Sequence, residues 1–223
     1  MPTDHGIVNL CFHGIGEPGR DLEPGEDEYW VTATQYEEIL DEIVAQPDVR
    51  ISFDDGNASD IEIGLPGLRR RGLTATFFLI AGRVDTPGSL TAAGVAELRN
   101  AGMRIGTHGW DHRSWRGMDP AVERRELMDA AALLAELVGA PVTEAACPRG
   151  EYDRRALQQL RRARYHRVFT SDRRRARPDA WLQPRYSIRR TDHVGDVRAL
   201  LGPQRSMRLT QARAAYHMLK RWR

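Results

Sequence analysis

The sequence predicts a single α/β domain on a parallel sheet, closed as a barrel or doubly wound. Three observations predict it. Short apolar runs rich in β-branched and aromatic residues alternate with longer segments of helical periodicity. No linker, internal repeat or low-complexity tract interrupts the alternation. Polar residues with chemical potential gather where predicted strands end, the edge at which parallel α/β sheets build their sites.

IVNLCF (7–12) reads as the first strand. GEPGRDLEPGEDE (16–28) follows as a Gly/Pro/acid-rich loop, which in a barrel would overhang the mouth. TATQYEEILDEIVAQ (32–46) has amphipathic helical spacing, with Thr32 or Thr34 as its cap. VRISF (49–53) and TATFFLI (74–80) are strands, and SDIEIGLPGLRRRG between them reads as a helix interrupted at Pro66. TAAGVAELRNAG (91–102) is a helix closed by Gly102, with MRIGT (103–107) the strand after it. DPAVERRELMDAAALLAELVG (119–139) opens on Asp-Pro and ends on Gly, the signals of one long helix. VTEAAC (142–147), DRRALQQLRRAR (153–164) and HRVFT (166–170) read as strand, helix and strand. RYSIRR (185–190) looks like a strand, and GDVRALL and LTQARAAYHMLKRW look helical. The expected organisation is one catalytic domain over 1–223, with a core of about 5–190 and a basic helical extension over 191–223.

Formal net charge is only +2, but residues 1–148 hold 12 basic and 25 acidic side chains while 149–223 hold 21 and 6. All but one of the basic residues are Arg. Such asymmetry marks either a face for polyanions or anionic membrane, or simply solvated Arg-rich helices. No dense aromatic interleaving accompanies the Arg residues, so no nucleic-acid partner is expected. RSMRLTQARAAYHMLKRWR (205–223) places apolar residues at three- and four-residue steps. As a helix it would touch an anionic membrane surface peripherally or dock on the barrel wall. Cys11 and Cys147 lie in apolar strand-like runs, which suggests buried thiols in a reducing compartment. With neither a secretory signal nor an 18-residue apolar window, the expected address is cytoplasmic or peripheral to the inner face of the membrane.

ISFDDGNASD (51–60) sets two carboxylates side by side at a strand end. Neighbouring strand residues face opposite ways, so Asp54 and Asp55 serve one site only if the strand has ended there. GTHGWDHRSW (106–115) follows another strand and spaces His108 and His112 four apart, on one face if the segment turns helically. Two imidazoles and one carboxylate leave an open position for water, the pattern of a catalytic metal site. The second carboxylate is then available as a base.

FDDG, an HxxxH about fifty residues on and a Pro-x-Gly strand end together resemble the polysaccharide deacetylase family with its NodB homology domain, over about residues 5–190. The resemblance implies a distorted (β/α)7-type barrel that hydrolyses N- or O-acetyl groups, mostly on sugars, with a divalent metal. It implies Asp54 as general base and Asp55, His108 and His112 as ligands of one ion, zinc first, with cobalt or nickel as alternatives. NLCFHGIG (9–16) is similar to the family's permuted branch, which makes His13 the general acid; otherwise it is a turn histidine. An imidazolium there needs a carboxylate or carbonyl partner, and Asp192 is the candidate. AACPRGEYD (145–153) departs from the family: Arg149 replaces an aromatic, and Ala146 stands where some members keep an Arg.

The amide after Pro148 can still serve as an oxyanion donor, so Pro148, Arg149 and Gly150 form the expected substrate rim. Arg149 would meet a phosphate or carboxylate of the substrate, or only solvent. Arg185 or Arg189, in QPRYSIRRTD (183–192), is expected to hold Asp54. Trp110, Trp115, Tyr29 and Trp30 would stack on a sugar or pack behind their loops. The expected function is metal-dependent removal of an N-acyl group, acetyl first, from an amino sugar, a glycan or an activated or lipid-linked saccharide. The alternatives are a catalytically silent carbohydrate-binding barrel and a C–N hydrolase acting on a cyclic amide.

Overall fold

The computed structural model describes residues 6–202; His5, His217 and the helix expected at 205–223 lie outside them. Eight strands are present: β1 (Val8–Phe12), β2 (Val49–Asp55), β3 (Ala75–Leu79), β4 (Arg104–Thr107), β5 (Glu144–Ala146), β6 (Arg167–Thr170), β7 (Leu182–Pro184) and β8 (Tyr186–Ser187). All pairs are parallel, in the order β7-β6-β5-β4-β3-β2-β1-β8.

The two edge strands are halves of one extended segment, 182–187, divided only by Arg185. Its first half pairs with β6, Gln183 opposite Phe169, and its second with β1, Ser187 opposite Cys11. One segment therefore joins both edges of the sheet into a nearly closed barrel, the distorted (β/α) architecture expected. Asn9 on β1 fastens the seam, its Nδ2 donating to Gln183 Oε1 at 3.1 Å and to the Pro184 carbonyl at 3.0 Å. The strand expected at 185–190 thus begins earlier and stops earlier. By 189–192 the chain has turned, with the Arg189 N–H donating to Asp192 Oδ2.

Helices cover the outside: α1 (Ala33–Ile43), α2 (Leu65–Arg70), α3 (Ala92–Asn100), α4 (Pro120–Arg124), α5 (Ala130–Val138), α6 (Arg154–Arg162) and α7 (Val194–Leu201). Thr32, Thr91, Asp119 and Asp153 each accept a hydrogen bond from a backbone N–H of the first turn of α1, α3, α4 and α6. Pro66 does not interrupt a helix. A π-helical turn at Asp60–Gly64 runs directly into α2, and this widened turn lets the helix continue through Pro66, which has no N–H to donate. The long helix expected over 119–139 is present, with a π-helical turn at Arg125–Asp129 joining α4 to α5. Among the described residues, no helix is long and apolar enough to cross a membrane.

Alternation along the strands decides what lies inside. Leu10, Phe12, Phe53 and Phe77 face outward and form the main core with Tyr36 and Leu40 of α1. The intervening residues, among them Asn9, Cys11, Ser52, Asp54 and Thr76, face a polar interior and are all buried. Arg185 enters it from the seam, fully buried, and donates to both oxygens of Asp54 at 2.6 Å and to Ser52 Oγ at 3.1 Å. Its guanidinium lies 5.2 Å from the Phe78 ring centroid and 5.8 Å from that of Phe169, which adds cation–π attraction and excludes water.

Removing one member of such a pair leaves a buried charge uncompensated. Arg185→Met should therefore destabilise the fold by about 3–5 kcal/mol. Arg185→Met combined with Asp54→Leu should recover most of that loss, because a buried ion pair and an apolar replacement are often nearly equivalent. Chemical denaturation of the three chains decides; a double variant no more stable than the single one would show that the seam needs the charge itself.

Candidate active site

The strand ends bring the two motifs together. Asp54 points into the barrel, and Asp55 reaches the same mouth because its backbone has turned left-handed, at φ 77°. His108 follows β4 and His112 sits in a bent loop at φ 55°, so their spacing of four does not trace a helical face. His108 Nε2 lies 3.6 Å from Asp55 Oδ1 and 3.7 Å from Asp54 Oδ2, and His112 Nε2 lies 3.6 Å from the same Asp55 oxygen. That oxygen is buried without a hydrogen-bond partner. His108 Nδ1 lies 2.9 Å from the Ala146 carbonyl, which takes its N–H and leaves the Nε2 lone pair facing Asp55.

Electrostatics divide the labour. Burial would raise the Asp54 carboxyl, but the Arg185 guanidinium, through its charge and its two hydrogen bonds, outweighs it and holds Asp54 far below the usual carboxylate range. Burial pushes His108 down to about 4, against the opposing pull of Asp54, so it stands neutral with a lone pair to give. Burial pushes the Cys11 thiol well up, despite Arg185 nearby, so Asp54 rather than a thiolate answers that guanidinium.

His13 lines the mouth beyond the end of β1, with Nε2 4.0 Å from Asp54 Oδ2 and its ring 5.0 Å from that of Tyr29. Its Nδ1 is buried without a partner. Asp192 is not that partner: its carboxylate accepts from the Arg189 N–H, and its carbonyl takes the Gln35 side chain. Of the two candidate arginines, Arg185 holds Asp54, whereas Arg189 lies over the Tyr29 ring at 5.6 Å.

The rim needs more correction. Tyr29 and Arg149 line the cleft. Arg149, left-handed at φ 55°, already donates to Glu23 Oε2 at 2.8 Å. Pro148 and Gly150 are buried in the same turn, and the Gly150 N–H donates to the Cys147 carbonyl. The Arg149 amide is thus the candidate oxyanion donor there. Trp110 does not line the cleft. Its indole packs against the core beside Gly82, with the Arg125 guanidinium 4.6 Å above it. Trp115 and Trp30 are buried, the latter against Gly14.

Two acids that support the site went unnoticed in the sequence. Glu126, fully buried in the π-helical turn, accepts from the N–H groups of Trp110 at 3.0 Å and Asp111 at 2.9 Å, and so shapes the loop between the histidines. Only glycine admits it: a Cβ on Gly109 would stand 2.1 Å from Glu126 Oε2. Glu126, Ala130 and Leu134 share one buried stripe, and an acid in an apolar stripe was the available signal. Glu23, from the long acidic loop, lies 2.9 Å from His112 Nδ1. No periodicity marks it among its acidic neighbours.

Sequence and structural comparisons bear on this site. A sequence model of the polysaccharide deacetylase family matches residues 41–168. In fold, the chain is similar to the Streptococcus pyogenes deacetylase PplD, solved in complex with acetate: TM-score 0.77, 19% identity, covering 89% of this chain and 99% of PplD. It is likewise similar to IcaB from Ammonifex degensii, with TM-score 0.73, 22% identity and coverage of 88% of this chain and 97% of that one. In sequence, it is 27% identical over 124 residues to YxkH of Bacillus subtilis, whose name carries a provisional polysaccharide deacetylase assignment. That match covers 56% of this chain and 44% of YxkH, and the chain spans about half the length of the curated relatives it matches. The family match runs over more than half of the sequence and takes in both strand ends that carry the paired aspartates and the two histidines. This chain belongs to the polysaccharide deacetylase family.

Proposed function

We propose that the chain is a metal-dependent N-deacylase that removes an acetyl group from an amino sugar, in a glycan or in an activated or lipid-linked saccharide. One observation carries the reading: an orphaned, buried carboxylate oxygen on Asp55 faces two imidazole nitrogens at 3.6 Å, beside a second carboxylate kept ionised by Arg185. Such an oxygen, facing two imidazole nitrogens, fits a cation. Asp55, His108 and His112 would hold it. Two nitrogens and one oxygen suit zinc, cobalt or nickel rather than magnesium or calcium, which prefer oxygen alone. An ion held by these three residues would supply Lewis acidity towards the acyl carbonyl and would acidify a water molecule.

The remaining steps belong to the protein. Arg185 holds both Asp54 oxygens, while Oδ2 also faces His13 at 4.0 Å and His108 at 3.7 Å, on the side where Asp54 accepts the proton of the attacking water. His13, on the same rim, gives a proton to the departing amine, which cannot leave as an anion near neutral pH. The Arg149 amide is placed to donate to the carbonyl oxygen as it gains charge. The cleft, of about 280 Å³, is near the lower end for ligand sites and takes a single substituted ring, the rest of a larger substrate lying across the rim. Both His13 and Arg185 lie outside residues 41–168, the span matched by the family model.

Mass-spectrometric detection of acetate released from a panel of N-acetylated saccharides and lipid-linked sugars tests the reading. Absence of both stoichiometric metal and acyl release from every member would favour a silent binding barrel instead. Asp54→Asn should keep its metal and lose turnover on the order of 10²–10⁴-fold per folded molecule, because the amide cannot accept the proton, and should also lower stability by leaving the Arg185 charge unanswered. Activity within a few-fold of wild type would remove Asp54 as base. His108→Ala should lose both metal and turnover, and unchanged metal content there would overturn the ligand assignment. His13→Ala should lose most amide hydrolysis while sparing an activated ester whose leaving group needs no proton; equal losses on both would make His13 structural.

A further inference from the structure

The acidic loop between β1 and α1 reaches both halves of the candidate metal centre. At one end, Arg20 donates to Asn57 Oδ1 from Nε at 3.2 Å and Nη2 at 2.9 Å, which ties the loop to the turn just beyond Asp55. Arg20 also pairs with Glu26, which in turn accepts the Glu23 N–H at 2.8 Å. At the other end, the Glu23 carboxylate meets His112 Nδ1 at 2.9 Å. Arg83 pairs with its Oε1, and Arg149 donates to its Oε2 at 2.8 Å. Glu23 is thus built into place from three sides, by groups following β3, β4 and β5.

The two histidines are oriented differently. His108 leans on a backbone carbonyl supplied by β5, which the sheet itself fixes. His112 sits on a left-handed loop residue, and among the hydrogen bonds of the described residues its ring is met by Glu23. A neutral imidazole carries one N–H and can place it on either nitrogen. A carboxylate accepting at Nδ1 selects the tautomer whose lone pair is on Nε2, the nitrogen that faces Asp55. It also makes that lone pair more basic than a carbonyl would. Arg83 and Arg149 hold the carboxylate on the Nδ1 side and offset its charge, so that it does not swing in as a further ligand.

We propose that Glu23 is the positioning residue of the metal centre, fixing the tautomer and ring orientation of His112, with Arg83 and Arg149 as its clamps. The assignment rests on the metal reading above, and it deepens that reading by making ion affinity depend on a loop outside the family match. It also changes the expected role of Arg149, whose guanidinium belongs to Glu23 rather than to an anionic group of the substrate.

Two measurements on the purified full chain test it. The first is the imidazole nitrogen spectrum of metal-free protein in alkaline buffer, where His112 should be the Nδ1–H tautomer in wild type. In Glu23→Ala it should shift towards Nε2–H, while His108 and the melting temperature stay unchanged. A loop tether with no positioning role would not move that signal. The second is zinc affinity by competition with a chromophoric chelator. Glu23→Ala should weaken binding about 10–100-fold, the usual effect of removing such a partner. Glu23→Gln should recover part of the loss, because its amide oxygen still accepts from Nδ1. An unchanged His112 tautomer, or a zinc affinity for Glu23→Ala within twofold of wild type, would overturn the proposal. Absence of zinc binding by wild type would overturn the metal reading and the positioning role with it, whereas a tautomer failure beside normal wild-type binding would overturn the positioning role alone.

Discussion

The fold and the site depend on one buried ion pair, Arg185 with Asp54. Arg185 is the residue at which the last extended segment changes partners, from β6 to β1, so it stands where the barrel closes. Its guanidinium is also the counter-charge of the carboxylate read as the catalytic base. Taking two charges out of water is expensive, and only a bidentate geometry with further hydrogen bonds compensates for it. The surroundings supply these: Ser52 accepts another guanidinium proton, and Phe78 and Phe169 cover the pair's flanks. The interior of this barrel is polar for that reason.

Three of the six left-handed non-glycine residues among those described lie at the mouth. Asp55, His112 and Arg149 all adopt left-handed conformations, which cost a non-glycine residue on the order of 1 kcal/mol each. Each turns a side chain away from where strand or loop continuation would send it. Asp55 joins its neighbour on one side of the sheet edge, His112 faces back towards Asp55, and Arg149 reaches across to Glu23. The rigid parallel wall fixes the first residues of each loop, and these three strained positions complete the convergence.

Much of this was legible in the sequence. The alternation of strands and helices, the cap residues Thr32 and Asp119, and the placing of the Asp pair and the histidines at strand ends all follow from local patterns. Less legible was anything set by the closing of the barrel. The strand register around 182–187 depends on Arg185 facing inward, and only the seam decides between Arg185 and Arg189 as partner of Asp54. Trp110 was ambiguous because an indole beside a histidine can face either the cleft or the wall. The space beside Gly82 and the cation of Arg125 settle it. Glu23 could not be chosen from the acids of its loop, because its partners come from three other loops brought together by the fold.

The position of the seam has a consequence for biosynthesis. The counter-charge of Asp54 lies 131 residues after it, near the end of the described chain. While the polypeptide is being made, strands β1 to β6 can emerge and pair in order, since each pairs with its predecessor. Through that interval the sheet has two open edges and an acid with no guanidinium to answer it. An exposed β1 edge is also a template for pairing with other chains. A nascent chain halted before residue 185 is therefore not a smaller version of the protein but an open ribbon with a discharged or hydrated Asp54. The ionised base and the protected sheet edge arrive together, with the last strand.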